Sequence, residues 1–526
     1  MLKPVRRVNR GRRAEPFTLP APVGGLNGRD GLADMPPADA FVLDNWFPAN
    51  SYMITRLGHA EYGTGFGNPV ESLEAYRGGA EQKMLAFAGG GIYDATAAGA
   101  AGAALMSGRV SNRVQTVMFS NAGNQFLLIY SGADAPLSYD GTTLTPLVIT
   151  GLTGTQNTLH SPHVFKARLF LAQQGQLGFY YLGVNAIQGA ASYFDLSQVA
   201  KKGGHLVGIA SVSDTSGETP ADYVVFMTSE GEYIMYAGID PSSADSFALV
   251  GRYYSARPIG GKGWFNFRSD LYIITEEGII SLSQIRSKGE AANEMEYLSA
   301  KLGSYLSSLN TNKDVHGWCA NIYPRGNALV VNVPASPSIV GHYYQFVLNT
   351  NAPNTNPWCR YVGWDGISWC EFEGRLYFGT YDGRAMLADE GFLDDGEPIK
   401  FDCRQAYNYF DDGKGMGAAD KHFHFGTFIV QAEGTPPISA TLNVNFKDVQ
   451  PEYSGSLVTD DGAMWDVASW DVASWAGSGE TQNFTVPFSN LGFAGSIWMR
   501  TYLSGTQMKW FATRVVCEKS KGIVII

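Results

Sequence analysis

The chain has 526 residues with 38 Lys and Arg against 49 Asp and Glu, a net charge of −11, which argues against a generic nucleic-acid binder because phosphate affinity comes mainly from Lys and Arg. Its 45% hydrophobic content is ample for globular folding, and its length calls for two or three domains. The 62 glycines have no collagen period and exceed the usual ~7%, so they point to many tight turns and an all-β protein. Cys319, Cys359, Cys370, Cys403 and Cys517 contain no CxxC pair, so neither a zinc site nor a disulfide framework is indicated, and folding in a reducing compartment is expected. The basic opening has no apolar core after it, and no apolar run approaches ~18 residues, so neither a secretory leader nor a membrane-spanning helix is expected.

Lys3, Arg6, Arg7, Arg10, Arg12 and Arg13 form a basic stretch at the N-terminus. It reads as an extended, solvated arm that either contacts DNA or an acidic neighbouring subunit or is a plain tail. Pro, Gly and acidic residues then alternate as far as Asn50, which disfavours long helices and central strands. Phe41, Leu43, Trp46 and Phe47 offer apolar anchors there. Residues 1–50 are therefore expected to be an arm and a clamp laid across another surface, with Trp46 and Phe47 as candidate intersubunit or DNA contacts.

From Lys83 the sequence KMLAFAGGGIYDAT sets a pattern of an apolar run, a Gly-rich break and a second short run. The pattern returns at Asn124–Gly141, Ala167–Gly183, Asp222–Gly238, Asp270–Ile285, Asn327–Leu348 and Gly374–Asp389. Aligning Met84, Phe126, Leu169, Val224, Leu271, Ala328 and Leu376 gives steps of 42, 43, 55, 47, 57 and 48 residues. Repeats of that length with β periodicity predict propeller blades, seven being favoured over six or eight. Flanking runs such as VQTVMFS, GWFNFRS and WCRYVGW supply further strands. A strand in Tyr52–Tyr62 is expected to close the ring on the last blade. Met295, Leu298, Leu302, Leu306 and Leu309 recur at helical steps and predict a helical insertion near 292–310, which packs on a blade or reaches a neighbouring subunit. The propeller is thus expected over 51–398.

Beyond Ile399 the blade pattern stops and alternating runs predict a β-sandwich-like domain over 399–526. Within it Trp465, Trp470 and Trp475 recur every five residues, a spacing that fits neither helix nor strand. A turning loop is expected, its tryptophans forming either a local core or an intersubunit contact.

Catalytic signatures are sparse. The nearest match to a sialidase-type box, Thr459 to Trp465, is single and has its glycine one place early. GxSxG, GxxxxGK[ST], HExxH and DxDxDG do not occur. The pairs His422/His424 and His160/His163 could each ligate a metal, but zinc takes three or four ligands and spacing suggests no third. No enzyme activity, cofactor or metal is expected.

One resemblance covers most of the chain. From Gly24 to Pro48, Gly-Gly-Leu-Asn, an Asp-containing turn, Met-Pro-Pro and Leu-Asp-Asn-Trp-Phe-Pro stand in order. YPRGNALVVNVP (Tyr323–Pro334), WCRYVGW and QAYNYF (Gln405–Phe410) follow. This series resembles the β-propeller tail nozzle, or packaged-DNA-stabilising, proteins of short-tailed bacteriophages. The resemblance implies a virion structural protein that forms a ring, a homohexamer, below the portal and adaptor and continues the channel for double-stranded DNA without sequence-specific contacts. It also implies assembly in the host bacterial cytoplasm. The alternative is a carbohydrate-binding or carbohydrate-active propeller at a phage tail or cell surface. If the basic arm makes a docking contact, deleting residues 1–13 will weaken joining to tails or DNA more at low than at high ionic strength. Identical assembly of the truncated chain at every salt concentration would identify a plain tail.

Overall fold

The computed structural model describes residues 14–79, 81–214, 221–288, 296–307, 309–334, 344–411, 413, 417–452 and 480–520. The basic arm (Arg6, Arg7, Arg10, Arg12, Arg13) and the tryptophan repeat (Trp465, Trp470, Trp475) lie outside the described residues. The architecture is all-β, and the chain divides into two units: 59–348 with 362–390, and 1–58 with 349–361 and 391–526.

The first unit contains the repeats. Each hairpin becomes the centre of an antiparallel group of strands, and the seven groups, called sheets below, follow in chain order as a β-propeller-like series; the first five are separate small sheets, whereas the sixth and seventh are parts of one larger sheet. The second, third and fourth sheets have four strands each, beginning at Gln115–Asn121, Leu159–Phe165 and Leu206–Asp214. The first sheet begins at Val70–Gly78 and has three strands, with an Ile92–Met106 bridge at its edge. The fifth begins at Trp264–Phe267; the Leu298 N–H donates to the carbonyl of Ile279 on its outer strand, 2.9 Å away. Cys319–Tyr323 opens the sixth and Ser368–Phe372 the seventh.

The seventh sheet takes its fourth strand from the other end of the unit. His59–Thr64 pairs antiparallel with Ala385–Ala388, placing Ala60 opposite Leu387 and Glu61 opposite Met386. Closure by an N-terminal strand is therefore as the sequence led us to expect, but the expected Tyr52–Tyr62 strand is divided. Met53–Thr55 pairs with Trp46–Pro48 and with the C-terminal strand Met508–Lys519, in the other unit.

The apolar cores lie between successive sheets, as the two-faced burial of such a series requires. Phe66, Val70, Leu73 and Met84 of the first sheet region pack with Cys370, Phe372, Tyr377 and Leu387 of the seventh. Between the third and fourth sheets the core is aromatic: Phe179 and Phe226 stack with ring centroids 4.3 Å apart, and Tyr236 stacks on Phe247 at 4.7 Å.

The predicted continuous helix near 292–310 is replaced, among the described residues, by short turns at Ala300–Leu302, Ser304–Ser307 and Leu309–Asn312. Gly303, at φ 43°, breaks the helical path. Leu302 and Leu306 are nevertheless buried, and the Ser299 hydroxyl accepts from the Ile279 N–H at 2.9 Å. An unpredicted helix, Leu282–Lys288, follows the fifth hairpin.

The second unit joins both ends of the chain. One sheet runs in the order Glu480–Gly492, Lys421–Ala432, Met508–Lys519, Met53–Thr55, Trp46–Pro48. Glu15–Pro20 lies along the rest of the Met508–Lys519 edge, with Glu15 opposite Cys517 and Pro20 opposite Ala512. In the other sheet Asp39–Asp44 pairs with Glu397–Gln405, which pairs with Gly495–Leu503, which pairs with Ile438–Val444. The partition expected at 51 and 399 is thus redrawn. Residues 15–58 are strands and turns of the same unit as 391–520 and not a separate clamp, and they protect a sheet edge that would otherwise be open.

Trp46 is the hinge of this core. It is fully buried, and its ring meets Phe401 of the second sheet at 5.8 Å and Trp510 of the first at 5.9 Å. Truncating a buried Trp typically costs ~3–5 kcal/mol. Trp46→Ala will therefore lower the unfolding free energy, read from denaturant titration, by an amount in that range, whereas Phe47→Ala, at a half-exposed position, will cost less than half as much. Equal losses would show that the tryptophan is not the core of this unit.

Candidate functional site at the axis of the seven sheets

Going round the seven-sheet unit, the first strand of each sheet touches the next sheet, and Ser368–Phe372 returns to Val70–Gly78. These innermost strands are tied laterally by side chains that satisfy a neighbour's backbone. The Ser72 hydroxyl accepts from the Val114 N–H at 3.1 Å, the Ser161 hydroxyl from the Ile209 N–H at 3.0 Å, and the Ser368 hydroxyl donates to the Val70 carbonyl at 2.6 Å. Ser161 sits at φ 46° in a β-bulge between His160 and His163.

At one end of these strands is a cavity of about 630 Å³ lined by residues of all seven sheet regions, among them Glu71, Gln115, His160, His205, Lys262, His316 and Trp369. Polar bonds cross it. The Gln115 amide donates to the Gly261 carbonyl and accepts from the Ser161 N–H at 2.6 Å, linking the second sheet to both the third and the fifth. Lys262 of the fifth sheet region is ion-paired with Glu74 of the first, and Glu74 also accepts from Thr116 Oγ1 at 2.6 Å. Burial opposes the charge of Lys262, but Glu74 outweighs it and holds the ammonium above the ordinary lysine range. Arg113 Nε lies 2.9 Å from Glu71 Oε1.

Burial holds three of the histidines here below the ordinary imidazole range. Burial, helped at His160 by nearby His205, pushes His160 down to about 4, and burial alone pushes His163 down to about 4. His316 is also lowered, burial outweighing the bond between its Nε2 and the Glu71 carbonyl at 2.7 Å. Burial drives the Cys319 thiol up to about 11 and Cys370 up to about 12, so neither is a thiolate nucleophile at neutral pH. The indole N–H of Trp369 is buried at the wall without a hydrogen-bond partner among the described residues. The cavity can hold a small polar molecule, being within the ~300–1,000 Å³ of ordinary ligand pockets.

Of the sequence-derived contact residues, Trp46 and Phe47 are among the described ones, and neither lines this cavity. Trp46 is a core residue, which corrects its assignment as a contact, and Phe47 is half-buried on the adjacent strand position. The axial residues were missed because single His and Lys residues carry no motif. A signal was nonetheless present: His160, His205, Lys262 and His316 all stand at or just before the first strand of their repeats, visible when repeats are aligned on that strand and not on the hairpin.

No protein-family model matches this sequence, nor does any curated protein. Solved structures that share similarity are BBS1N in complex with ARL6DN (9% identity, 65% of this chain and 99% of that one, TM-score 0.39) and Chaetomium thermophilum Raptor (10%, 66% and 28%, TM-score 0.37). The computationally designed Ika8 protein is similar at 9% identity, 62% of this chain and 99% of that one, with TM-score 0.32. No helix among the described residues is long and apolar enough to cross a membrane.

The depressed histidines give a signed pH dependence. Unfolded imidazoles take up protons near 6.5, whereas the folded ones stay neutral down to about 4. Their stabilisation is thus complete above the unfolded value and is lost as pH falls through this window, by at most ~1.4 kcal/mol per pH unit for each group. Replacing both, His160→Gln with His163→Gln, will reduce the loss of stability between neutral pH and about pH 5. An unchanged loss in urea titrations would show that these imidazoles are not held neutral.

Proposed function

We propose that this chain is a structural protein of a bacteriophage tail that assembles as a ring, a hexamer by resemblance, and prolongs the DNA channel below the portal and adaptor. The observation that carries the reading is the role of the Gly24–Pro48 segment, on which the resemblance rests. Gly25 has φ 88°, and a Cβ there would fall 2.7 Å from the Trp358 backbone. The Asn27 amide donates to Asp39 at 2.7 Å and Asp30 at 2.9 Å, while its oxygen accepts from the N–H groups of Arg29 and Asp30. Asp44 receives Arg360 through two bonds of 2.6 and 2.7 Å. Asn45, at φ 65°, donates to the Lys400 carbonyl at 2.8 Å and accepts from Arg56 Nε at 2.8 Å. Trp46 fills the core. Gly25, Asn27, Asp44, Asn45 and Trp46 of the motif therefore each have a specific structural task, which supports reading the match as a shared construction.

The channel in this reading runs between copies and not through one propeller, because the axial cavity is crossed by side chains and is of small-molecule size. An acidic wall suits passage, since it repels phosphate and lets a duplex slide. A second reading, carbohydrate binding, has one feature in its favour: tryptophan and hydrogen-bonding groups share the axial cavity. Electron microscopy of the purified protein and of virions tests the proposal. Rings with a central opening, placed on the tail axis, are expected. A chain that stays monomeric at all concentrations and is missing from tails would overturn it, and saccharide-dependent quenching of its tryptophan fluorescence would then favour the second reading.

A further inference from the structure

The spacing of His422 and His424 suggests two ligands and no third, but the fold supplies one. Both histidines lie on Lys421–Ala432, which pairs along Met508–Lys519 so that His422 is opposite Glu518. Phe423 is opposite Cys517 and Phe425 opposite Val516, so His424 is the extra residue of a β-bulge. Bulges re-aim side chains. Here the two imidazoles have ring centroids 4.8 Å apart, and His424 Nε2 lies 3.9 Å from Glu518 Oε1.

One ligand atom from each of the three residues falls within 4.8 Å of the others. Bond lengths of ~2.0–2.2 Å to a shared ion place tetrahedral ligands roughly 3.5 Å apart, so rotamer adjustment alone closes the site. The backbone beneath is fixed. Lys421–Ala432 is paired on both edges, and Phe423 and Cys517 are fully buried on the opposite face. His422 is exposed and the other two ligands are partly buried, leaving the remaining coordination positions open to water or another donor.

We propose that His422, His424 and Glu518 bind one divalent transition-metal ion of the zinc class. Two imidazoles and a carboxylate suit Zn²⁺, Ni²⁺ or Cu²⁺, whereas Mg²⁺ and Ca²⁺ prefer all-oxygen sets. The proposal is independent of the tail reading, because it uses only residues of one chain.

The test is calorimetric titration of ZnCl₂ into the chelator-stripped full chain at neutral pH, alongside His422→Gln and Glu518→Gln. Even loss of a supporting partner costs ~10–100-fold in metal affinity, so loss of a ligand should weaken the zinc event by at least tenfold in each variant. Melting temperatures of all three proteins without metal should coincide, since none of the substituted side chains is in a core. Parallel Co²⁺ titration should give visible absorption bands that both variants diminish. Zinc binding of equal strength in wild type and variants, or none in wild type, would overturn the proposal. So would variants that lose zinc only because their metal-free melting temperatures collapse.

Discussion

Closure of the seven sheets on themselves is the constraint on which the first unit depends. A sheet in this series buries its faces against the sheets before and after it, so an open series would leave the first and seventh with bare apolar faces. The cluster joining Phe66, Val70, Leu73 and Met84 to Cys370, Phe372, Tyr377 and Leu387 removes both. Bringing residues 59 and 388 together costs about 5 kcal/mol of loop-closure entropy by (3/2)RT ln n. Burying six or more large apolar side chains, at ~1.5–3 kcal/mol each, contributes on the order of 10 kcal/mol. The apolar term outweighs the loop, and the His59–Thr64 pairing adds direction and register to it.

The axis shows the same economy in polar form. In a ring of seven, the fifth sheet is a neighbour of neither the first nor the second, so the Lys262–Glu74 pair and the Gln115–Gly261 bond span the interior. They satisfy groups that would be costly to bury singly and fix opposite sides of the ring to each other. Such an axis is a brace with a small polar cavity beside it.

Much of this was legible in the sequence for a simple reason. Strand alternation and Gly-rich turns are local, so all seven hairpins could be read from spacing, while the closing strand was placed only in part, His59–Thr64 overlapping the end of the expected Tyr52–Tyr62 strand. The amphipathic series from Met295 to Leu309 misled because its buried leucines were real while the continuous helix was not; Gly303 at positive φ divides it. Trp46 looked like an exposed anchor because its partners, Phe401 and Trp510, lie hundreds of residues away. The same distance hid Glu518 from His422. A two-residue spacing places imidazoles on one face, but register between remote strands decides which carboxylate joins them, and no local pattern encodes it.

The order of the chain sets a consequence for folding. The second unit draws on 15–58, 349–361 and 391–520, while the first unit is threaded between these segments. Glu15–Pro20 has no strand to pair with until Met508–Lys519 exists, and Trp46 lacks Trp510 until the same moment. Contacts of such sequence separation form late, because their entropy is spent before their burial is gained. The sheets of the first unit, by contrast, are built from adjacent hairpins and need only one remote pairing to close. Sequence separation alone therefore favours completion of the seven-sheet unit before the terminal unit. Glu15–Pro20 covers the edge of Met508–Lys519, and a covered edge is closed to strand addition from another chain.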